Sequence, residues 1–216
     1  MIAHTIGFNR SDIRGKESFD NIIQNKKWFS GNVDLDYLYK RKIKVLFDAI
    51  MEFSTKAQTF VRDEKKHSRI FAFKIASRNI TEATKNLKII QTNMKVYSSS
   101  QNKELANQYN AMRKDLGELL RSIEELKTMK DENAQLILSQ LKNAKNLLKE
   151  KDYNALHNVE ELISQDKISV TNGTSILNDS AFVAQIANQL IEAVEIIFAK
   201  EEWLKEQNPQ ESIQDS

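Results

Sequence analysis

Apolar residues recur at alternating steps of three and four along most of this chain, the spacing that places them on one face of an α-helix. The most regular run lies between residues 68 and 97, and its members are Phe73, Ala76, Ile80, Ala83, Leu87, Ile90, Met94 and Tyr97. A sustained seven-residue repeat makes helices pack at shallow angles and supercoil to the left. The pattern therefore predicts a long helix, from about Ser68 to Tyr97, in a left-handed bundle.

A helix of similar length is predicted on each side of this run. The preceding helix begins at an N-cap, Asp34, and ends near Arg62, where the polar cluster at 63–66 stops it. Its apolar stripe comprises Tyr39, Ile43, Leu46, Phe47, Ile50, Phe53, Ala57 and Phe60. The following helix is expected to be capped by the serine run at 98–100 and to reach about Met129. Its stripe comprises Leu105, Tyr109, Met112, Leu116, Leu119, Ile123 and Leu126.

The pattern is shorter beyond residue 130. One group of apolar residues (Ile137, Leu141, Ala144, Leu148) and a second group (Leu156, Val159, Leu162) each share a helical face. Asp152 lies between the groups as an expected N-cap, so this region is predicted to be a helical hairpin. A turn at 169–173 then leads to a last long helix that ends near Trp203. Its stripe comprises Ile176, Val183, Ala187, Leu190, Val194 and Ile197.

Helix-breaking residues are almost absent from the long middle of the chain. Between Asn32 and Asn208 there is no proline, and Gly117 and Gly173 are the only glycines. Proline costs about 3 kcal/mol and glycine about 1 kcal/mol inside a helix relative to alanine, so nearly every residue in this stretch can be helical. The sequence predicts an all-α fold, an elongated antiparallel bundle of long helices.

Composition divides the chain into three parts. Residues 1–32 hold three of the five glycines and are expected to be an irregular lead-in with one short helix near 18–27. Residues 33–206 form the predicted bundle. Residues 207–216 are polar, contain the only proline and are expected to be disordered.

The formal net charge of +2 hides an uneven distribution. Residues 1–100 carry 19 Lys and Arg against 10 Asp and Glu, whereas residues 101–216 carry 13 against 20. The two halves can attract each other within the fold, or the basic half can face an anionic partner such as a lipid headgroup surface. Because the basic residues are interleaved with acidic ones and lack an aromatic recognition motif, nucleic acid is not an expected partner.

Two further features concern the compartment. The chain contains no cysteine, which excludes disulfides and fits a reducing environment. No run approaches the roughly 18 consecutive apolar residues that a membrane-spanning helix requires, and residues 1–8 lack the layout of a signal peptide. We therefore expect a soluble protein.

Three helical stretches resemble a known family. They are Asp36–Gln58 (DYLYKRKIKVLFDAIMEFSTKAQ), Leu87–Leu126 (LKIIQTNMKVYSSSQNKELANQYNAMRKDLGELLRSIEEL) and Thr174–Phe198 (TSILNDSAFVAQIANQLIEAVEIIF). In order and wording they are similar to the soluble C-terminal, PhoU-like region of bacterial sodium/phosphate cotransporter family proteins. A membrane part precedes this region in that family. The chain thus looks like either the detached cytoplasmic portion or a stand-alone relative, with residues 1–32 as its juxtamembrane lead-in.

The resemblance implies a non-catalytic role. PhoU-like modules are helical bundles that regulate phosphate uptake and the phosphate-starvation response through protein contacts, and none is a classical enzyme. The implied partner is a membrane transporter domain, in cis or in trans, and the implied location is cytoplasmic, at the inner face of the cell membrane. An anionic membrane surface and a second copy of the chain are further candidate partners. No cofactor is expected apart from a divalent or ferric metal ion, which several family members carry on carboxylate clusters.

The family's metal feature is an acidic residue followed four positions later by Asp, because an i, i+4 step sets two carboxylates on one helix face. Two pairs approach this spacing, Asp48 with Glu52 and Glu202 with Glu206, and neither matches the family's pattern. Asp48 lies beside the apolar stripe of the first long helix, so Asp48 and Glu52 are the candidate metal ligands. An exposed polar helix face explains the same residues.

Other residues that could carry chemistry are scattered. His67 and His157 have no second histidine or cysteine at metal-ligand spacing and are interpreted as surface residues. A di-iron carboxylate bundle needs two Glu-x-x-His pairs, and only Glu64 precedes a histidine at that distance. The Asn-Asp-Ser triplet at 178–180 can hydrogen-bond across the bundle, form the first turn of a helix or line a polar pocket.

These observations leave three classes of function. The first is a non-catalytic regulatory or interaction module of a sodium-dependent phosphate transport system, which should show no turnover and should self-associate. The second is a stand-alone helical scaffold or signalling interaction protein, which should bind neither transporter loops nor metals. The third is a metal-binding carboxylate bundle.

Overall fold

The computed structural model describes residues 2–25, 28, 34–127 and 131–198, and every regular element in those ranges is helical. The elements are α1 (Ile2–Thr5), α2 (Arg10–Arg14), α3 (Phe19–Asn25), α4 (Leu35–Leu38), a π-helical turn (Tyr39–Ile43), α5 (Lys44–Phe60), α6 (Glu64–Tyr97), α7 (Lys103–Leu126), α8 (Asp131–Ser164) and α9 (Val170–Phe198). The predicted all-α class is confirmed, and the long helices pack as a bundle.

The last helix, α9, is the centre of the bundle. It packs against α6, α7 and α8. It runs antiparallel to α6, because Asn79 of α6 bonds to Glu192 and Asn93 bonds to Asp179. Buried residues of α6 to α9 form one continuous hydrophobic core. They include Leu87, Ile90, Met94, Tyr109, Leu116, Leu141, Ile186 and Ile191.

Side chains just before the helices set where they begin. Asp34 caps α4, since its carboxylate accepts from the Tyr37 amide at 3.0 Å. Asp63 caps α6 in the same way, so the polar cluster at 63–66 starts a helix as well as following one. The cap of α7 is Asn102, two residues beyond the serine run that was expected to supply it. Its carbonyl oxygen accepts from the Leu105 amide at 3.0 Å.

The predicted hairpin between 137 and 162 is wrong. α8 is a single helix, and Asp152 lies inside it. The segment contains neither proline nor glycine to end a helix. The side of α8 that packs along α9 carries most of its buried residues, including Ile137, Leu141, Leu148, Ala155 and Val159. An acidic residue beside a gap in the stripe therefore did not mark a helix start.

The turn before α9 is shorter than predicted. The helix begins at Val170, and the Ser169 hydroxyl accepts from the Asn172 amide at 3.1 Å. Gly173, predicted to close the turn, is buried in the first turn of α9. A Cβ there would lie 2.7 Å from Ile163 Cδ1, so the glycine permits the close approach of α8.

The first 25 residues are anchored in the core rather than detached from it. α2 and α3 pack against α7, and Phe8 and Phe19 are almost fully buried. Gly117 of α7 makes room for Phe19, whose Cε1 lies 2.7 Å from where a Cβ would be. The buried Arg113 guanidinium donates from Nε to the Ile6 carbonyl at 2.9 Å. The predicted disordered tail, 207–216, and the predicted helix end at Trp203 lie outside the described residues.

Candidate interaction groove

An open apolar groove of about 630 Å³ lies between α5 and α6. α5 lines it with Leu46, Ile50 and Phe53 among others, α6 with Ile70, Phe73 and Ile80, and the end of α9 contributes Ile197. Among the described residues, its only polar side chains are the hydroxyls of Ser54, Ser77 and Thr81, and none of its lining residues is charged. Such a surface suits the apolar face of another helix.

The large side chains on α5 are highly exposed. Phe53 is 75% exposed and Leu46 is 60% exposed, whereas Ser54 is the one buried residue of the helix. An apolar stripe ordinarily faces a core. Here α5 packs mainly against α6, and much of its stripe faces solvent. Continuous exposed apolar surface of this kind marks a site of interaction.

Polar contacts hold α4 and α5 against α6. Lys74 Nζ donates to Gln58 Oε1 at 2.6 Å and to Thr55 Oγ1 at 3.2 Å. Lys88 of α6 forms an ion pair with Asp36 of α4, and the hydrogen bond from Lys88 lowers the pKa of that carboxyl. None of these side chains lines the groove. The groove walls are therefore held together from outside while the groove itself stays apolar.

The groove has basic surroundings. Residues 34–78, which span α4, the π-helical turn, α5 and the first part of α6, carry 11 Lys and Arg against 6 Asp and Glu. Lys40, Arg41 and Lys42 are exposed on the π-helical turn before α5. The Arg69 guanidinium lies 5.7 Å from the ring centre of Phe73, a groove residue. An apolar occupant with acidic surroundings would complement this surface.

The structure places the candidate metal ligands on the outside of α5. Asp48 and Glu52 are both exposed, and Glu52 Oε1 accepts from Lys56 Nζ at 2.5 Å. No group of three or more His, Cys, Asp or Glu side chains that could hold a metal ion occurs in the described ranges. Metal binding at Asp48 and Glu52 stays a prediction. The second pair, Glu202 and Glu206, lies outside the described residues.

His67 and His157 stay apart from any metal-like cluster in the described ranges. His67 is exposed on the first turn of α6, and His157 is exposed on α8. Glu64, the partner that a di-iron motif would use, is exposed on the same turn as His67. As far as the structure describes the chain, these residues join no further metal-ligating side chains.

One member of the Asn-Asp-Ser triplet belongs to the core. Asp179 is 3% exposed, and its Oδ2 accepts from Tyr109 OH at 2.7 Å and from Asn93 Nδ2 at 2.9 Å. Asn178 is exposed and Ser180 is half-buried. Of the alternatives for this triplet, Asp179 hydrogen-bonds across the bundle, and Ser180 lines a pocket between α7, α8 and α9.

Burial dominates the electrostatics of this network. It raises the pKa of the Asp179 carboxyl above its usual range, and the hydrogen bonds from Tyr109 and Asn93 oppose that rise. Burial, together with the bond to Asp179, also raises the pKa of the Tyr109 hydroxyl, which therefore remains a proton donor. A buried acceptor held by two fixed donors favours one packing arrangement of α6, α7 and α9.

Sequence reasoning missed a row of asparagines on α6. Asn79, Asn86 and Asn93 recur at seven-residue steps, and each donates to a side chain of α9. Asn79 reaches Glu192 Oε2 at 3.3 Å, and Asn86 reaches Gln189 Oε1 at 3.2 Å. The repeated amide beside an apolar stripe is the signal that could have identified the row. The hydrogen bonds of this row set the register between α6 and α9.

α9 resembles a membrane-spanning helix in length and composition. It is the one helix in the described ranges that is long and apolar enough to cross a bilayer, and the core helix of a soluble protein can share both properties. Ile186 and Ile191 are fully buried against the bundle.

Comparison with known proteins adds no family, since no family model, curated protein or solved structure matches the chain.

Proposed function

We propose that this chain is a non-catalytic regulatory and interaction module of a sodium-dependent phosphate transport system, located at the cytoplasmic face of the cell membrane. Three stretches resemble the PhoU-like region of sodium/phosphate cotransporters. The first lies within α4 to α5, the second covers the last third of α6 and all of α7, and the third lies within α9. The proposal includes a PhoU-like arrangement and left-handed packing of these helices.

The groove between α5 and α6 is the observation that carries the proposal. Leu46, Ile50 and Phe53 are 60%, 39% and 75% exposed, and they lie along one wall. The stretch Asp36–Gln58, one of the three that resemble the transporter region, contains this wall. A protein that acts by contact needs such a surface, and a bundle that is complete in itself does not.

We infer that the occupant is an apolar helical segment of the transporter's membrane domain. The groove walls are apolar, and the basic residues around them would face the anionic inner leaflet when a membrane segment is bound. A rigid bundle can change a transport cycle only if it binds two states of the transporter with different affinities. The groove would supply that difference by binding the segment only in the state of the transporter that exposes it.

Three titratable groups with shifted pKa values hold parts of the fold together. Asp179 and Tyr109 satisfy each other inside the core. Burial lowers the pKa of the Arg113 guanidinium to about 10, and this side chain holds the lead-in by its bond to Ile6. None of these groups lines the groove.

Phosphate uptake by the source cells tests the proposal. Phe53→Asp places a charge on the groove at a side chain that is 75% exposed, and Tyr153→Asp, on α8 and 85% exposed, is the matched control. We expect Phe53→Asp to change uptake, or its response to external phosphate, as much as deletion of the chain does. Tyr153→Asp should leave both unchanged.

Equal uptake in wild-type, Phe53→Asp and deletion cells would overturn the proposal. Sedimentation of the purified chain then separates the remaining alternatives. If Phe53→Asp abolishes self-association while uptake is unaffected, the groove joins two copies and the chain is a stand-alone scaffold.

A further inference from the structure

A pocket of about 290 Å³ lies between α7, α8 and α9, separate from the groove between α5 and α6. Its volume is close to the lower end of the range for small-molecule sites, about 300–1,000 Å³. We call it the three-helix pocket, and it is lined among others by Met112 of α7, Asn158 of α8 and Ser180 of α9. Because α9 packs against both α7 and α8, all three helices hold its walls in place.

Apolar side chains from each helix form the base of the three-helix pocket. Met112 of α7, Leu148 of α8 and Val183 of α9 line it, and all three are buried. A thioether such as that of Met112 makes favourable contacts with aromatic rings. The base of the pocket therefore suits a flat, largely apolar ring.

Four polar side chains line the same pocket and have no partner within the protein. They are Gln108 of α7, Asn154 and Asn158 of α8, and Ser180 of α9. Within the described ranges, none of these side chains forms a hydrogen bond with another residue. Each carboxamide offers two donors and an acceptor oxygen. A few polar groups that converge over an apolar base are the arrangement that orients a bound small molecule.

The charged side chains of the pocket neutralise each other. Lys151 Nζ of α8 donates to Asp115 Oδ1 of α7 at 2.6 Å. Among the described residues, this pair supplies the only charges that line the pocket. An adjoining pocket contacts the same pair and adds Asp20 and Glu118 against Lys114. An anion would therefore meet a surplus of negative charge, and an uncharged ligand is favoured.

We propose that the three-helix pocket binds a small, uncharged aromatic heterocycle with hydrogen-bond donors and acceptors along one edge, as in a nucleobase. Asn154 and Asn158 would meet this edge, because a carboxamide can donate and accept at the same time, as it does with adenine. The ring would lie on Met112. The phosphate of a nucleotide would meet the pair of Asp115 and Lys151, so the free base is the favoured form. The inference does not depend on the proposed function.

NMR titration of the full chain, labelled with ¹⁵N, tests the proposal with adenine, cytosine and uracil as separate probes. The side-chain amides of Gln108, Asn154 and Asn158 report on hydrogen bonding in the pocket. We expect at least one base to shift these signals to saturation, with a Kd below about 1 mM. Benzene, an aromatic ring without donors or acceptors, should bind at least about tenfold more weakly. The nucleoside monophosphate of the base that binds should also bind more weakly than the base.

A double substitution on α8 tests the role of the carboxamides. Asn154→Ala with Asn158→Ala should raise the Kd of that base at least about tenfold. Both positions are exposed, and alanine favours a helix, so the fold is retained. Asn143→Ala with Asn146→Ala is the matched control, since both residues are exposed on α8 outside the pocket. It should leave the Kd unchanged.

Three results would each overturn the proposal. The first is that none of the three bases shifts the side-chain amide signals at about 10 mM. The second is that the Asn154 and Asn158 double variant binds the base as tightly as the wild-type chain does. The third is that the monophosphate binds more tightly than its base, because the pocket would then be an anion site.

Discussion

Replacing Tyr109 with phenylalanine isolates one buried hydrogen bond. The Tyr109 hydroxyl donates to Asp179 Oδ2 at 2.7 Å, and both side chains are almost fully buried. Tyr109→Phe keeps the ring and its packing while removing one of the two donors to this carboxylate. Water cannot replace the donor, because Tyr109 is 0% exposed and Asp179 is 3% exposed. The remaining donor is Asn93 Nδ2, at 2.9 Å.

The expected loss of stability follows from the charge of the acceptor. A hydrogen bond to a charged group contributes about 1.5–3 kcal/mol, and since Asn93 remains, we expect a loss of about 2 kcal/mol near neutral pH. For a chain of this length, that corresponds to a fall in Tm of about 4–8 °C. Tyr153→Phe, at an 85% exposed position on α8, should have no measurable effect.

The pH dependence distinguishes a charged acceptor from a neutral one. Because burial raises the pKa of Asp179, the stability that this group contributes is complete below its unfolded-state pKa and is lost as pH rises through its folded-state pKa. The Tyr109 bond opposes the rise in pKa and so limits that loss. Tyr109→Phe should therefore lower the free energy of unfolding by less in acid than at neutral pH.

Urea denaturation followed by circular dichroism, at about pH 7 and about pH 4, measures both quantities. The reasoning would be refuted by a loss below about 0.5 kcal/mol at neutral pH. It would also be refuted by equal losses at the two pH values, because the bond would then not depend on the ionisation of Asp179.

Three further changes test the packing. Gly117→Ala should destabilise the chain by about 1–3 kcal/mol in urea denaturation, because its Cβ would lie 2.7 Å from Phe19 Cε1; an unchanged midpoint would contradict this contact. Asn102→Ala should cost about 1–2 kcal/mol in the same assay, since it removes both the α7 cap and the 2.7 Å bond to the Lys167 carbonyl. Arg113→Lys should make the lead-in more sensitive to limited proteolysis, because it loses the Nε bond to Ile6. Unchanged cleavage kinetics would show that this bond does not hold the lead-in.

Only part of the candidate site could be predicted. The stripe that lines the groove was read correctly as one helical face, including Leu46, Ile50 and Phe53. The groove itself was not foreseen, because the stripes of α5 and α6 have the same spacing. Yet Phe53 is 75% exposed while Ile90 is fully buried. Spacing shows which side chains share a face, and it does not show whether another helix covers that face.

The polar sites illustrate the same limit. The triplet that contains Asp179 was identified from its polarity, but its role depended on Tyr109 and Asn93, which are 70 and 86 residues away. Asp152 had the chemistry of a cap and became part of the middle of α8. An N-cap acts only where a helix begins. α8 remains helical through Asp152 because it packs along α9.

By itself, the sequence determined that the chain is all-helical and, within a few residues, where most helices begin and end. These properties depend on the rarity of proline and glycine and on capping side chains, which act within one turn. The tertiary structure alone decided which apolar faces are covered, how α6 and α9 are aligned, and that Phe19 lies against Gly117. Those outcomes depend on contacts between residues far apart in sequence, whose free energies a local pattern does not contain.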